Sequence, residues 1–142
     1  MQLDKFSDYA LRILIALAAH APAKLAASSI AQMYGISDNH LSKIATQLVK
    51  SGFVRSERGR GGGLTLAQPA SDISVGGVLR ILKKGQPVVE CFSANTSCAI
   101  LPACGLRAPL LDAQEAFFAV LDGYSLADVA RSKSALKDLL AI

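Results

Sequence analysis

The chain has 142 residues and a formal net charge of +4; 51% of its residues are hydrophobic and 18% are charged. This length predicts a single domain with its own core, and this composition excludes a disordered chain. The longest apolar stretch, residues 13–19, is too short for a membrane span, and no basic secretory signal precedes it, so we expect a cytoplasmic protein that does not enter a membrane.

Three helices are predicted within the first 52 residues. A short second helix, capped by Ser28 or Ser29, is predicted to end at Gly35, and Ser37 is placed to cap the third. In the first helix, apolar residues recur at helical spacing: Phe6, Ala10, Ile13, Leu14 and Leu17. In the third helix, the predicted buried stripe consists of Leu41, Ile44, Ala45, Leu48 and Val49.

The opposite face of the third helix carries side chains that can bind base edges and phosphates. These are Asn39, His40, Ser42, Lys43, Gln47 and Lys50. An ordinary solvated helix face is the alternative, but two β-type runs follow, at 53–58 and 64–67, and their glycine-rich turn carries Arg58 and Arg60. A phosphate-binding P-loop is excluded because a strand, not a helix, follows the glycines.

The helix-turn-helix and the basic hairpin together predict a winged-helix DNA-binding domain over residues 1–84. An amphipathic helix at 73–83 is predicted to pack against its core. Charge supports this assignment, since residues 1–84 carry eleven Lys and Arg against five Asp and Glu, whereas residues 85–142 carry four against six. The fold class is therefore mainly α with a small β-hairpin wing.

All three cysteines lie in a turn-rich segment, residues 85–104, which we call the cysteine loop: Cys91, Cys98 and Cys104. An odd number argues against a disulfide framework. Structural zinc normally needs a closely spaced cysteine pair, whereas an iron–sulfur cluster accepts looser spacings and a fourth ligand from elsewhere. The spacing favours a cluster but leaves zinc, a redox-sensing thiol and inert buried thiols open. A thiol enzyme is disfavoured because no C-x-x-C pair or Cys–His–acid grouping is evident.

Residues 105–142 are predicted to hold a long helix with apolar side chains on two sides. One strip consists of Leu106, Leu110, Ala113, Phe117, Val120 and Leu121, and a second contains Leu111 and Phe118. Burial against the chain's own winged helix would cover one strip but not easily both. We therefore expect a homodimer in which a partner helix covers this dimerisation region.

Four motifs together resemble the Rrf2 family of winged-helix transcriptional regulators. They are MQLDKFSDYALR at residues 1–12, YGISDNHLSK at 34–43, RGRGGGL at 58–64, and the cysteine loop. Two further motifs, CAILPAC at 98–104 and LDGYSLAD at 121–128, are most similar to the nitric-oxide-sensing repressors of that family. The resemblance covers essentially the whole chain.

This resemblance implies a homodimeric repressor that binds a palindromic operator in double-stranded DNA and releases it when nitric oxide damages an iron–sulfur cluster. It implies that the three cysteines hold the cluster, for which we expect [4Fe–4S] rather than [2Fe–2S]. It also implies a fourth ligand from the partner subunit, and Asp8 stands at the matching place. From the residues alone, Asp8 is simply an acid that is favourable near a helix N-terminus.

The sequence departs from one branch of the family. Regulators of iron–sulfur biogenesis use a histidine just after the third cysteine, where this chain has Arg107 and no histidine beyond His40. This difference weakens the assignment to that branch. The gap of six residues between the first two cysteines is longer than expected for the nitric-oxide-sensing repressors. The alternative function is therefore a regulator that responds to iron or to iron–sulfur status.

Overall fold

The computed structural model describes residues 3–141. Residues 1, 2 and 142 lie outside the described part of the chain. They are the first two residues of the motif at 1–12 and of the predicted domain 1–84, and the last residue of the predicted region 105–142. The helices are α1 (Lys5–His20), α2 (Ala27–Tyr34), α3 (Asp38–Lys50), α4 (Val75–Leu82), α5 (Arg107–Asp122), α6 (Leu126–Val129) and α7 (Lys133–Leu140). The strands are β1 (Val54–Glu57) and β2 (Gly63–Leu66).

The helix-turn-helix is defined by local signals at its turn. Gly35 ends α2 in the left-handed conformation, with φ of 61°, and Ser37 caps α3 by accepting a hydrogen bond from the His40 amide at 3.2 Å. Both predictions are confirmed. The predicted cap of α2 is wrong, because Ser28 and Ser29 lie inside the helix and Ala26 holds the cap position without a side-chain bond.

The core is centred on α1, which contacts α3, α4, α6, α7 and β2. Leu41, Ile44 and Leu48 of α3 are fully buried against it, as the periodicity predicts. Val49 was expected in the same stripe, but it is 38% exposed because it lies one position past Leu48, on the outer face. Leu126 and Ala130 also join this core, so the chain returns to α1 after α5.

The two strands form an antiparallel hairpin, with Val54 opposite Leu66 and Glu57 opposite Gly63. Leu25 adds a short bridge to Leu64 through two backbone hydrogen bonds, of 3.1 and 2.8 Å. A side chain at Gly63 would place its Cβ 2.8 Å from the Leu25 carbonyl oxygen, so this approach requires glycine. The hairpin is therefore fixed to the core, and the expected mainly α fold with a β wing is confirmed.

Helix α5 is joined to the rest of the chain chiefly through α4. Gly76 lets the helices approach closely, since a Cβ there would overlap Asp122, whose Cα would lie at 2.8 Å. The Val75 amide donates to the Tyr124 carbonyl at 2.9 Å, and the Leu126 amide to the Ile73 carbonyl at 2.8 Å. Among residues 3–141, no helix combines the length and the apolar character needed to cross a membrane.

Candidate DNA-binding surface and cysteine loop

The outer face of α3 presents most of the predicted DNA-contacting side chains. Asn39, Ser42, Lys43 and Lys50 are exposed, whereas His40 and Gln47 are half-buried. Gln47 lies on the flank, where its side-chain amide donates to the Ser51 hydroxyl at 3.3 Å. Exposed polar groups at the start of a helix-turn-helix's second helix are suited to the major groove.

Thr46 also lies on this exposed face, and the sequence reasoning missed it. Its hydroxyl donates to the Ser42 carbonyl at 2.8 Å, one helical turn earlier. The helical spacing of the sequence could have identified Thr46, because it follows Ser42 by four residues and Lys43 by three and so shares their helix face. Thr46, Ser42 and Lys50 line a groove between α3 and the wing, together with Ser56 and Arg58.

The turn of the wing carries two arginines, Arg58 and Arg60, in exposed positions. The turn is closed by a 2.9 Å hydrogen bond from the Gly62 amide to the Gly59 carbonyl. At the end of β1, next to this turn, Glu57 forms an ion pair with Lys24. Lys50 of α3 and Arg58 of the wing line the same groove, so α3 and the wing present two cations together, as binding to a phosphate backbone requires.

The cysteine loop contains two short 3₁₀ turns, Glu90–Phe92 and Leu101–Ala103, and all three cysteines are free thiols. Cys98 is exposed, and Cys91 and Cys104 are half-buried. Within residues 3–141, no three His, Cys, Asp or Glu side chains are gathered closely enough to hold a metal ion. The fold thus brings the thiols into one segment without converging them on one point.

The chemistry of this donor set fits an iron–sulfur cluster. Cysteine thiolates are the usual ligands of such clusters, and three free thiols leave one ligand to be supplied from elsewhere. Arg107, which stands where the biogenesis branch has histidine, contacts the loop instead. Its Nε donates to the Cys91 carbonyl at 3.4 Å, and its guanidinium lies 5.7 Å from the centre of the Phe92 ring.

Asp8, the candidate fourth ligand, lies in the first turn of α1 with 41% of its side chain exposed. Its carboxylate accepts a hydrogen bond from the Arg12 Nε at 3.0 Å and forms an ion pair with Arg12 Nη2 at 2.8 Å. This pairing raises the pKa of Arg12. Asp8 is therefore accessible, but it would exchange Arg12 for a metal if it became a ligand.

One turn earlier, Asp4 connects α1 to the start of the cysteine loop. It caps the helix through the Ser7 amide and hydroxyl, and Lys83 Nζ donates to its carboxylate at 2.8 Å. Partial burial raises the Asp4 pKa, but the bonds from Lys83 and Ser7 outweigh it and lower the pKa to about 2. Lys83 also donates to the Gln86 side chain at 2.8 Å, so one ammonium group holds both α1 and the loop.

Helix α5 has no buried residue in the described chain, although it carries five of the six predicted dimerisation residues; the sixth, Leu106, was predicted inside the helix but lies just before its first residue. Leu106 is 60% and Val120 is 64% exposed, Ala113 is also exposed, and Leu110, Phe117 and Leu121 are half-buried. The helix is nevertheless fixed to α4. Arg80 pairs with Glu115 and with Asp122, which lowers the pKa of both carboxyl groups, and lies 5.1 Å from the Phe118 ring centre.

Comparison with known proteins identifies the family. The sequence model of Rrf2, described as an iron-dependent transcriptional regulator, matches residues 3–132. The chain belongs to the Rrf2 family. It is 44% identical over 142 residues to the HTH-type transcriptional regulator NsrR of Bacillus subtilis and 42% identical to that of Geobacillus kaustophilus. Each alignment covers 99% of this chain and 97% of the relative.

Solved structures of Rrf2 regulators have the same fold. CymR, the global cysteine regulator of B. subtilis, aligns with a TM-score of 0.71 at 28% identity, covering 92% of this chain and 97% of that one. The IscR of T. potens aligns with a TM-score of 0.72 at 25% identity, covering 92% and 87%. The predictions of an NsrR-like Rrf2 regulator, of a winged-helix fold and of a protein that is not an enzyme are confirmed.

Proposed function

We propose that this Rrf2 regulator is a cytoplasmic, homodimeric repressor whose iron–sulfur cluster senses nitric oxide, and that it leaves its operator when the cluster is damaged. The observation that carries this proposal is the set of three free thiols on one accessible loop of a chain 44% identical to NsrR. We assign DNA reading to residues 1–84, the cluster to 85–104 and dimerisation to the α5 part of 105–142, because α6 and α7, which the sequence prediction also included, pack against α1.

DNA recognition is assigned to the outer face of α3 and to the wing. Asn39, Ser42 and Lys43 are exposed near the start of α3, where a recognition helix contacts base edges. His40, Gln47 and Lys50 flank that set, and Arg58 and Arg60 contact phosphates or a narrow minor groove. A two-fold symmetric dimer would read a palindromic operator whose half-sites lie about one helical turn, ~10 bp, or a multiple apart.

Dimerisation is assigned to α5 because none of its residues is more than half-buried within the described chain. Its uncovered apolar residues lie on more than one side, as the exposure of Leu111 and Val120 indicates, and Leu106, just before the helix, is also exposed. A second copy of the helix would cover such a surface through a two-fold contact. The six residues assigned to this contact are Leu106, Leu110, Ala113, Phe117, Val120 and Leu121.

The cluster is assigned to Cys91, Cys98 and Cys104, with Asp8 of the partner subunit as the fourth ligand and [4Fe–4S] as the expected form. A bound cluster supplies iron that reacts with nitric oxide. The loop presents the thiols, and α1 presents the carboxylate from the DNA-binding half. Asp8 pairs with Arg12 in this structure, and its helix α1 packs directly against α3, so a ligand at this position would join the cluster to the DNA-binding half.

Anaerobic purification tests the proposal. We expect a brown protein with visible absorption that bleaches on addition of nitric oxide, and a matching loss of affinity for operator DNA in fluorescence anisotropy. Cys98→Ser should lose the absorption, while Ser97→Ala, the neighbouring exposed side chain, should keep it. A colourless protein with full DNA affinity, even after cluster reconstitution, contradicts the proposal.

The ligand role of Asp8 has its own test. Asp8→Ala should change the absorption spectrum and the response to nitric oxide, because one ligand is exchanged or lost. Asp138→Ala, which removes an exposed carboxylate on α7, should change neither. An unchanged spectrum and an unchanged response in Asp8→Ala would remove Asp8 from the ligand set.

A second candidate function is a regulator that uses the same cysteines to respond to iron or iron–sulfur status. The description of the matching family as iron-dependent supports it. The two functions differ in what releases the DNA. An iron sensor should lose operator affinity when an iron chelator removes its metal under anaerobic conditions. It should show no selective response to nitric oxide added at the same concentration as the chelator.

A further inference from the structure

A single turn of α1, residues 8–12, touches both helices of the helix-turn-helix. The Tyr34 hydroxyl, at the end of α2, donates to the Arg12 carbonyl at 2.8 Å. The Tyr9 ring meets the His40 ring, at the start of α3, edge to face, with 5.7 Å between centroids and 79° between planes. These two contacts flank the Gly35–Ser37 turn, so a shift of this turn of α1 acts on both helices.

The same turn carries Asp8, whose carboxylate pairs with the Arg12 guanidinium. That guanidinium lies over the Tyr9 ring, 5.4 Å from its centroid, in cation–π geometry. The contacts are therefore continuous from Asp8 to Arg12, from Arg12 to Tyr9, and from Tyr9 to His40. His40 is a predicted DNA-contacting residue, so the series joins the candidate cluster ligand to the DNA-binding surface.

We propose that Tyr9 is a positioning residue that transmits the state of Asp8 to the recognition helix. The proposal rests on the function proposed above, because Asp8 changes partners when it binds a cluster. With Asp8 on Arg12, the guanidinium is held over the Tyr9 ring, and the ring packs against His40. If Asp8 bound a metal instead, Arg12 would lose its carboxylate partner. The guanidinium would then no longer be held over the Tyr9 ring, and the packing of that ring against His40 would change.

The choice of Tyr9 rests on its position. Its ring is partly buried against the core, so it cannot move independently of α1, and it reaches α3 beside Asn39 and the other exposed DNA-contacting residues. Arg12 is half-exposed and depends on Asp8 and Tyr9 for its placement. The contacts with Arg12 and His40 are both made by the Tyr9 ring and not by its hydroxyl. A phenylalanine at this position should therefore preserve both contacts.

The first measurement uses cluster-free protein. The chain contains two histidines, and His20 lies at the far end of α1, so a ¹H–¹³C spectrum of the imidazole groups has an internal reference. Tyr9→Leu and Arg12→Met should each move the His40 signal, because each alters the ring against it, and should leave the His20 signal in place. Tyr9→Phe should resemble the native protein. Phe6→Leu, a half-buried aromatic residue one turn earlier, is the matched control and should leave His40 unmoved.

The second measurement is the ratio of operator affinities between cluster-loaded and cluster-free protein. The native ratio should lie in the range of roughly 5- to 150-fold that allosteric coupling typically gives. In Tyr9→Leu it should fall toward one while the visible absorption of the loaded form persists, and Tyr9→Phe should restore it. If Tyr9→Leu fails to fold, Arg12→Met replaces it, because that side chain is half-exposed.

The outcomes separate this proposal from the one on which it rests. A native protein with equal affinity in both forms would overturn the sensing function, whatever Tyr9 does. A native ratio that survives unchanged in Tyr9→Leu, with the His40 signal moved, would leave the sensor standing and overturn the role of Tyr9. A His40 signal that ignores both Tyr9→Leu and Arg12→Met would also overturn that role.

Discussion

Helices α1 and α5 have the same length, 16 residues, and very different surroundings. In α1 eight residues are buried, and helices from both ends of the chain enclose it. In α5 no residue is buried within the described chain, although apolar side chains are nearly as frequent along it. An apolar periodicity thus predicts that one face of a helix will be buried. It does not specify whether the same chain or a partner buries that face.

This difference separates two sources of stability. The winged helix is stabilised by burial within one chain, since Leu14, Ile44 and Leu48 are all inaccessible to solvent. The cysteine loop and α5 have mostly exposed side chains and are held by a few polar contacts, such as those of Arg80 and Arg107. The first region should therefore respond to core substitutions, and the second to partners and ligands.

The largest effect is expected in α1. Leu14→Ala removes a fully buried side chain and leaves a cavity, so it should lower the free energy of unfolding by about 2–5 kcal/mol. Urea denaturation at low protein concentration, where a dimer would dissociate, measures this. Leu106→Ala, the same change at a 60% exposed position beside α5, should cost no more than about 0.5 kcal/mol under these conditions. Equal costs would contradict the comparison between the two regions.

A smaller effect is expected where the two regions join. Gly76→Ala places a methyl group against Asp122 and should cost about 1–3 kcal/mol by forcing α4 and α5 apart. The adjacent Gly77→Ala meets only Ser74, at 3.4 Å, and alanine is the better helix former, so it should be neutral or stabilising by up to about 1 kcal/mol. Thermal unfolding of the pair measures the difference, and a tolerated Gly76→Ala would show that this joint is loose.

The connection between α1 and the cysteine loop should depend on pH. Because the folded-state pKa of Asp4 is lowered from 3.8 to about 2, its contribution is complete above about pH 4 and is lost as the pH falls toward 2. Asp4 is partly exposed, so we expect only about 1 kcal/mol.

Asp4→Ala should therefore be destabilised at pH 6 and should show a smaller loss of stability between pH 4 and pH 2 than the native protein. Lys83→Met should reduce the same loss, while Lys84→Met, its exposed neighbour, should leave it unchanged. Urea unfolding across this pH range makes the measurement. Identical profiles for Asp4→Ala and the native protein would show that this ion pair contributes nothing to stability.

The smallest effect on the stability of the single chain is expected at Val120, which is 64% exposed. Val120→Lys should change the free energy of unfolding at low concentration by no more than about 0.5 kcal/mol. It should nevertheless lower the mass seen by sedimentation from that of a dimer to that of a monomer, because a charge would be buried in the contact. Leu139→Lys, on an exposed site of α7, should leave the mass of a dimer. A dimeric Val120→Lys would move the interface away from α5.

Much of the fold could be predicted because its signals are local. Gly35 and Ser37 mark the turn of the helix-turn-helix through their own backbone preferences, and a glycine-rich segment between β-type runs marks the wing. The cap of α2 could not be read in this way, because Ser28 and Ser29 were equally suitable and packing placed the helix start before both. Helices α6 and α7 are short, and both pack against α1, which lies far away in the sequence.

The candidate sites divide in the same way. Helical spacing was sufficient to list the exposed residues of α3, although it missed Thr46 and placed Val49 on the wrong side. The contact between Tyr9 and His40 joins residues 31 positions apart, and no local pattern encodes it. Likewise, the bond from Lys83 to Asp4 depends on how α4 packs near the start of α1.

The anchoring of α5 by Arg80 also has a mechanical consequence. Glu115 and Asp122 secure only the second half of the helix, and about 12 Å of helix extends from Glu115 back to Arg107. A rotation of about 10° around the secured half would carry the free end through about 2 Å, enough to break a hydrogen bond. Arg107, at that free end, is bonded to the backbone of Cys91. A displacement of this end of α5 would therefore be passed directly to the backbone of the cysteine loop.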